Sequence, residues 1–518
     1  MRGGPTGGTI AWAPRGAFAR NVLTFVPIER PKDPPLPSPS TPPPAAQPSP
    51  YELRVAEQAG QIDAAAWDDL LAEQPHPTPF LRHAYLAALQ ESGSATPATG
   101  WTARFFTLWQ GEALQAACAL YVKTHSYGEY VFDWAWADAY QRHGIDYYPK
   151  AVVAVPFTPV PGARLLARSD AARATLLQAL LAWCEEAELS SLHLLFAAGE
   201  DVDAAREQGL MLRHTVQFHW KNVAPTLPAA RGSLPPEGAL AALGRPGGGE
   251  TAAPTLPAAR GSLPPEGALA ALGRPGGGET AAPTLPAADH PSSFEPATSL
   301  PRPFRDFDDF LASLSQDKRK KIRQERRRVA EAGVSFRALQ GAEIAPSDWD
   351  FFYRCYERTY LEHGNPPYLS REFFRRMGRD LPEAWVLFVA ERGGQPIATS
   401  LIAVSADVSS AGGQKHPKVA FGRYWGAIER VDCLHFEACY YQPIAWCIAQ
   451  GVQRFEGGAQ GEHKMARALL PVQATSAHWL AHPAFAEAVD RFLEREGAGV
   501  AEYLEHLQAR SPFRQTPG

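Results

Sequence analysis

Residues Pro225 to Ala253 read PTLPAARGSLPPEGALAALGRPGGGETAA, and Pro254 to Ala282 repeat them letter for letter. Pro283 opens a third, truncated copy. A repeat of this size can announce a solenoid. Here each copy carries only the short apolar run Ala239–Leu243 among Pro, Gly and Ala, too little to bury on a neighbour. Residues 222–303 therefore read as a duplicated low-complexity linker. A second weak stretch precedes the first apolar segment: ten of the twenty residues from Pro31 to Pro50 are Pro, a composition of extended, solvated chain. Residues 1–50 and 222–303 are expected to be disordered and dispensable. Two foldable segments remain, 51–221 and 304–510, with 511–518 as a tail.

Composition agrees with a two-part globular protein. The chain has 518 residues and 45% apolar side chains, enough for ordinary cores. A net charge of −5 makes no global case for a nucleic-acid or membrane partner. The six cysteines form no C-x-x-C pair, which suits a reducing compartment. No secretory signal and no run of 18 apolar residues is visible, so no membrane span is expected and cytoplasm is the expected location.

The two segments look like copies of one plan. Thr102–Trp109 alternates as a strand, Gly111-Glu112 turns, and Ala113–Lys123 returns; Trp385–Glu391, Gly393-Gly394-Gln395 and Pro396–Ser405 do the same. Tyr127-Gly128-Glu129-Tyr130 then matches Phe421-Gly422-Arg423-Tyr424 as a next strand. A helix with Ala182-Trp183-Cys184 or Ala445-Trp446-Cys447 follows, leading into Ser191–Phe196 or Val452–Glu456. Helices precede each hairpin, at Pro79–Ser92, and at Ser347–Glu362 with Ser370–Gly378. This is a mixed α/β pattern, repeated once.

That doubled order resembles the GNAT acyltransferase superfamily, and within it the FemAB-like proteins with two tandem GNAT-type domains. The strings that carry the likeness are His125–Trp136 (HSYGEYVFDWAW) and Val155–Val160 (VPFTPV) in the first half. In the second they are His435–Tyr441 (HFEACYY) and Gly458–Lys464 (GAQGEHK). The resemblance implies two tandem GNAT-like domains and an N-acyltransferase linked to peptidoglycan biosynthesis or recognition. It implies an acyl-CoA or aminoacyl-tRNA co-substrate, no tightly bound cofactor, and an amine acceptor. Two features depart from the family pattern: the 222–303 insertion, and a lengthened hairpin at Ser409–Lys418.

Acyl transfer to an amine needs a base, a polarised carbonyl and a proton for the leaving group. Four clusters offer such groups. The densest is His435, Glu437, Tyr440 and Tyr441. As a helix it puts Glu437 and Tyr441 on one face and His435 and Cys439 on another. As a strand, Cys433, His435, Glu437 and Cys439 would share a face and invite a metal. No paired ligand spacing supports a metal, and Ala438, Ala445 and Ala449 keep helical spacing into Gly451, so the helix is expected and no metal. Pro443 must then sit in a first turn or kink it.

The second cluster, Gln460, Glu462, His463 and Lys464, follows a strand end, where ligands gather in open α/β sheets. It reads equally as a polar surface turn. The third, Tyr127, Glu129, Asp133, Trp134 and Trp136, interleaves carboxylates with aromatics. Aromatics alone would be core, but buried acids need partners, so a substrate pocket is the expectation. The fourth is Lys318 to Arg328, with eight basic residues and one acid on an amphipathic helix. Its outer face is either simply solvated or a phosphate site using Lys318, Lys320, Lys321 and Arg323.

Together these predict an acyl or aminoacyl transferase. Glu437 or His463 would be the base, and Tyr440 or Tyr424 the proton donor. His435, Tyr441, Gln460, Glu462 and Lys464 would bind substrate, and the basic helix the donor's phosphates, those of tRNA included. The alternative is a non-catalytic binder of cell-wall precursors on the same fold.

Overall fold

The computed structural model describes residues 51–224, 302–405, 416–459 and 461–514. The expectations for residues 1–50, the repeats, most of the lengthened hairpin, Gln460 and the last four residues lie outside these. The two ends of the insertion meet. The N–H of Ala224 donates to the carbonyl of Arg302 (2.7 Å), and the Asn222 side chain ties Val452 to Phe304 (3.0 Å each).

The first half runs β1 (Glu52–Ala56), α1 (Ala64–Ala72), α2 (His83–Glu91), β2 (Trp101–Gln110), β3 (Ala113–Lys123), α3 (Trp134–Arg142), β4 (Lys150–Val153), β5 (Leu166–Ala167), α4 (Asp170–Glu186), β6 (Ser191–Ala197), α5 (Gly199–Glu207) and β7 (Met211–Lys221). The second runs α6 (Phe307–Ser313), α7 (Gln316–Glu331), β8 (Val334–Gln340), α8 (Pro346–Glu362), α9 (Arg371–Asp380), β9 (Trp385–Arg392), β10 (Gln395–Val404) and β11 (Val419–Ala427). A broken helix follows: α10 (Leu434–Phe436), a π turn (Glu437–Tyr441) and α11 (Gln442–Ala449). Then come β12 (Arg454–Ala459), a 3-10 helix (Glu462–Arg467), β13 (Leu470–Leu480) and α12 (Pro483–Ala509).

The doubled α/β plan is present, with one correction. Tyr127–Tyr130 is not a strand but a turn, with φ of 83° at Gly128 and 62° at Tyr130. Its acid is drawn inward to Lys150, and the strand equivalent to β11 is β4. The strand expected at Val452–Glu456 begins two residues later, at Arg454.

All the strands lie in one mixed sheet of order β1-β2-β3-β4-β6-β13-β7-β12-β11-β10-β9-β8, with β5 on β3. The halves exchange their last strands: β13 lies between β6 and β7, and β7 lies against β12. Each half contributes one parallel pair, β4 with β6 and β11 with β12.

Both faces of the sheet are covered, so its central strands are apolar throughout rather than alternating. In β9, Trp385, Leu387 and Val389 face a core built with α1, α2, α8 and α9, while Val386 and Phe388 face a core with α6 and α11. Among the described residues no helix is long and apolar enough to cross a membrane.

Candidate active site

The parallel pair β11–β12 stays in register only at Val419↔Arg454, Ala420↔Phe455 and Phe421↔Glu456. Beyond Phe421, β11 continues to Ala427 paired with β10, while β12 follows β7. A gap opens between the two strands. Groups from both faces of the sheet border this gap.

On the α7 side, the broken helix from Leu434 to Ala449 supplies one wall. It is helical, as the alanine spacing predicts. The wide π turn before Pro443 clears a ring that has no N–H to donate and would crowd the carbonyl four residues back. The helix presents His435, Cys439 and Tyr440. His435 packs edge-on against Trp425 and Tyr440, with ring centroids 5.4 and 5.8 Å apart. The Tyr440 hydroxyl lies 3.1 Å from His463 Nε2. Burial, followed by the charges of Arg467 and Lys464, drives His463 down to about 4. Burial and His463 do the same to His435. Both imidazoles are therefore neutral at pH 7. Lys464 donates to the carbonyls of Gly457 and Ala459 at the end of β12 (2.7 Å each), and burial lowers it to about 8. Gly461, with φ of 88°, leaves room that no other residue could: a Cβ there would come within 2.4 Å of the His463 ring.

The remaining predicted residues divide. Glu437 is buried and bound to Arg326 of α7 (3.1 Å) and by the Gln442 amide (2.8 Å). The Tyr441 hydroxyl donates to Glu325, which also accepts from Arg467 (2.8 Å). Both fasten α7 to the broken helix. Glu462 accepts from Tyr503 and Arg510 at the surface. Tyr424 lies on the opposite face of the sheet from Tyr440, in an aromatic cluster with Tyr356 and Phe374, so these two tyrosines do not converge. Lys318 of α7 and His463 line a cavity of about 250 Å³, while Lys320, Lys321 and Arg323 of α7 are exposed.

The opposite face carries a group that sequence reading missed. A cavity of about 720 Å³ spans both halves, and Glu456, His219 and Arg454 form part of its wall. Glu456 pairs in register with Phe421, at the point where the strands part. One carboxylate oxygen accepts from Arg454 (2.9 Å). The other has no hydrogen-bond partner and lies 3.7 Å from His219 Nε2. Burial raises Glu456 to about 7 and lowers His219 to about 3.

The first-half cluster is brought together around a residue the sequence did not flag. Lys150, fully buried on β4, donates to Glu129 (2.8 Å), Ser126 (2.8 Å) and Asp133. Tyr147 donates to Asp133 (2.6 Å) and lies 3.2 Å from His193, which meets His478 of β13 at 2.7 Å. Burial outweighs Lys150 at Glu129 and raises it to about 7. At Asp133 burial opposes Lys150, and Lys150 prevails, holding that acid low. Trp136 packs on the histidine pair. Tyr127 and Trp134 stand half exposed, at 49% and 42%.

The sequence profile of a FemAB-like family, described as peptidoglycan biosynthesis/recognition, matches residues 58–226 and 300–515. No curated protein matches. Solved structures similar to this chain include FemX, at 8% identity and a TM-score of 0.42, covering 83% of this chain and 98% of that one. L-PGS from Bacillus licheniformis matches at 10% identity and a TM-score of 0.41, covering 84% and 97%. A tandem GNAT protein from the clavulanic acid biosynthesis pathway matches at 11% and 0.36, covering 84% and 99%.

Proposed function

We infer that this chain, which belongs to the FemAB-like family of peptidoglycan biosynthesis/recognition proteins, is an N-acyltransferase whose reaction takes place in the gap between β11 and β12. The observation that carries this reading is the parting of the strands at Phe421 and Glu456. It leaves one edge of β11 unpaired in the sheet and brings proton-handling groups to it from both faces.

In this reading the donor's phosphates lie along α7 near Lys318 and Lys321, and its acyl group enters the gap beside His463. The acceptor amine comes from the large cavity. Its nitrogen attacks the acyl carbon and forms the amide bond as the thioester C–S or tRNA ester C–O bond breaks. Glu456 takes the amine proton, and its raised affinity for protons suits that task at neutral pH. Tyr440 protonates the departing sulfur or oxygen, and His463 returns a proton to it from solvent. Bound phosphates would offset the cations that depress His463 and so make it a better proton carrier. Glu437 positions α7 through Arg326.

The test is transfer from acetyl-CoA and from aminoacyl-tRNA to amine acceptors, with melting measured on the same samples. Glu456→Gln should lower turnover by roughly 10²-fold, the scale for a positioned base, and still melt cooperatively. Unchanged turnover in that variant would remove Glu456 from the reaction. Absence of transfer from either donor, with both still binding, would favour a binding role over an enzymatic one.

A further inference from the structure

Arg423 is a cation without an acid. It stands on β11 two residues past the point where the strands part, and faces the same side of the sheet as Glu456. Its Nη2 donates to the carbonyl of Phe157 (3.0 Å) and to the Tyr424 hydroxyl (3.0 Å), with Thr158 Oγ1 at 3.4 Å. Its Nε is buried and has no partner. Among the described residues it makes no ion pair, and its nearest ionisable neighbours are the tyrosines Tyr424, Tyr85 and Tyr130. The guanidinium lies over the rings of Phe80 and Tyr424, 5.0 and 4.9 Å from their centroids. A half-buried guanidinium held only by neutral groups, with its Nε buried and unpartnered, is costly, and an arriving anion would relieve that cost.

The surrounding backbone is strained at two points. Tyr130 and Phe157 hold φ of 62° and 59°, a region that costs a bulky side chain about 1–3 kcal/mol. Both strained residues serve this place: Phe157 offers its carbonyl to Arg423, and Tyr130 approaches it from the first half. Tyr368 stacks on Phe157 at 4.9 Å, and Tyr360 packs against Tyr368 at 5.6 Å. Tyr130 is 39% exposed and Tyr360 and Tyr368 are half-buried, so this aromatic rim leads from the surface inward.

We propose that Arg423, with the hydroxyls around it, binds a carboxylate of the acceptor, so that the amine substrate is an amino acid or peptide end rather than a simple amine. One planar guanidinium flanked by neutral hydroxyls matches a singly charged planar carboxylate, whereas a doubly charged phosphate would call for a second cation. The proposal rests on the transfer reading for the identity of its ligand. Its test does not require transfer.

The probes are lysine, lysinamide and inorganic phosphate, titrated calorimetrically into the full-length protein. Lysine and lysinamide differ only in the carboxylate. Lysine should bind at least about 10-fold more tightly, the low end for a charge-assisted hydrogen bond. Arg423→Gln should abolish that difference, and Arg423→Lys should restore part of it. Equal binding of the two amines to the wild-type protein would overturn the proposal, as would a preference that survives in Arg423→Gln, or no binding of either. Phosphate binding tighter than lysine and lost in Arg423→Gln would reassign the site to a phosphate. If Arg423→Gln does not fold, the wild-type comparison and Arg423→Lys still decide the matter. An Arg423-dependent lysine preference without any acyl transfer would keep the carboxylate site and sink the transferase reading.

Discussion

Both halves carry the same parallel strand pair, β4 with β6 and β11 with β12, and they handle buried charge there in opposite ways. In the first half the buried cation is paired with acids, although one oxygen of Glu129 and one of Asp133 accept no hydrogen bond. Lys150 is fully buried between Glu129 and Asp133, and Tyr147, His193 and His478 continue the network across to β13. In the second half two cations near the gap have no acid partner among the described residues. Lys464 meets backbone carbonyls, Arg423 carbonyl and hydroxyl oxygens, and one oxygen of Glu456 accepts no hydrogen bond and lies 3.7 Å from His219. One copy of the plan has spent its polar groups on holding the molecule together. The other still has unmet electrostatic demand, which a ligand can satisfy.

The largest expected effect comes from breaking the first-half cluster. Lys150→Met leaves two buried carboxylates without the cation they are hydrogen-bonded to, with only Lys123 nearby, and losing one partner of such a cluster costs roughly 3–5 kcal/mol. Thermal melting should fall accordingly. The loss should be smaller at acid pH, where Glu129 and Asp133 can be protonated. Acceptor binding per folded molecule should be unchanged. Intact melting with lost binding would reverse the comparison and make the first half the ligand site.

The second half should respond the other way. Burial holds Glu456 at about 7, above the usual glutamate range. A carboxyl whose folded value is raised supports the fold while protonated, and that support fades as pH rises from the unfolded value through about 7. Glu456→Gln should therefore match the parent's melting near pH 4, exceed it at pH 8, and still lose turnover. A variant less stable than its parent at pH 8 would show Glu456 to be a structural anion. A smaller effect is expected of Gly461→Ala. Its Cβ must push the His463 ring aside and alanine is strained at φ of 88°, so turnover should drop several-fold and stability should fall by about 1–3 kcal/mol.

Local pattern revealed the hairpins, both Ala-Trp-Cys helices and the helical run that carries Tyr440, because each is written in periodicity over neighbouring residues. It also picked out His435 with Tyr440 and, in a separate cluster, His463 with Lys464, and the structure places the two pairs side by side. What it could not show depends on partners far along the chain. Nothing in Arg454-Phe455-Glu456 says that β7 of the other half will lie beside it and bury the acid. Lys150 follows a proline at the start of β4, and only the return of Glu129 and Asp133 makes it a centre. The aromatic alternation at Tyr127–Tyr130 misleads because left-handed backbone at Gly128 and Tyr130 turns the chain where a strand would continue. Strand exchange between halves leaves no local mark at all.

The finest test of the comparison lies on α7, where positive charge is divided between two faces. Lys318 and Lys321 are one helical turn apart. Lys318 shares a cavity with His463, and the charge of Lys321 is felt at that imidazole. Lys320 and Arg323 fall on a different side of the helix and are exposed. If the whole helix is only a solvated surface, reversing either pair should do equally little. If the second half draws an anionic donor, Lys318→Glu with Lys321→Glu should weaken donor binding by about 10-fold or more at low salt. Lys320→Glu with Arg323→Glu should weaken it less, since those charges act only at longer range through screening solvent. Raising ionic strength should shrink both effects, the second first. Equal losses from the two pairs would mean that the helix attracts the donor without seating it, and the phosphates would then have to lie elsewhere along the gap.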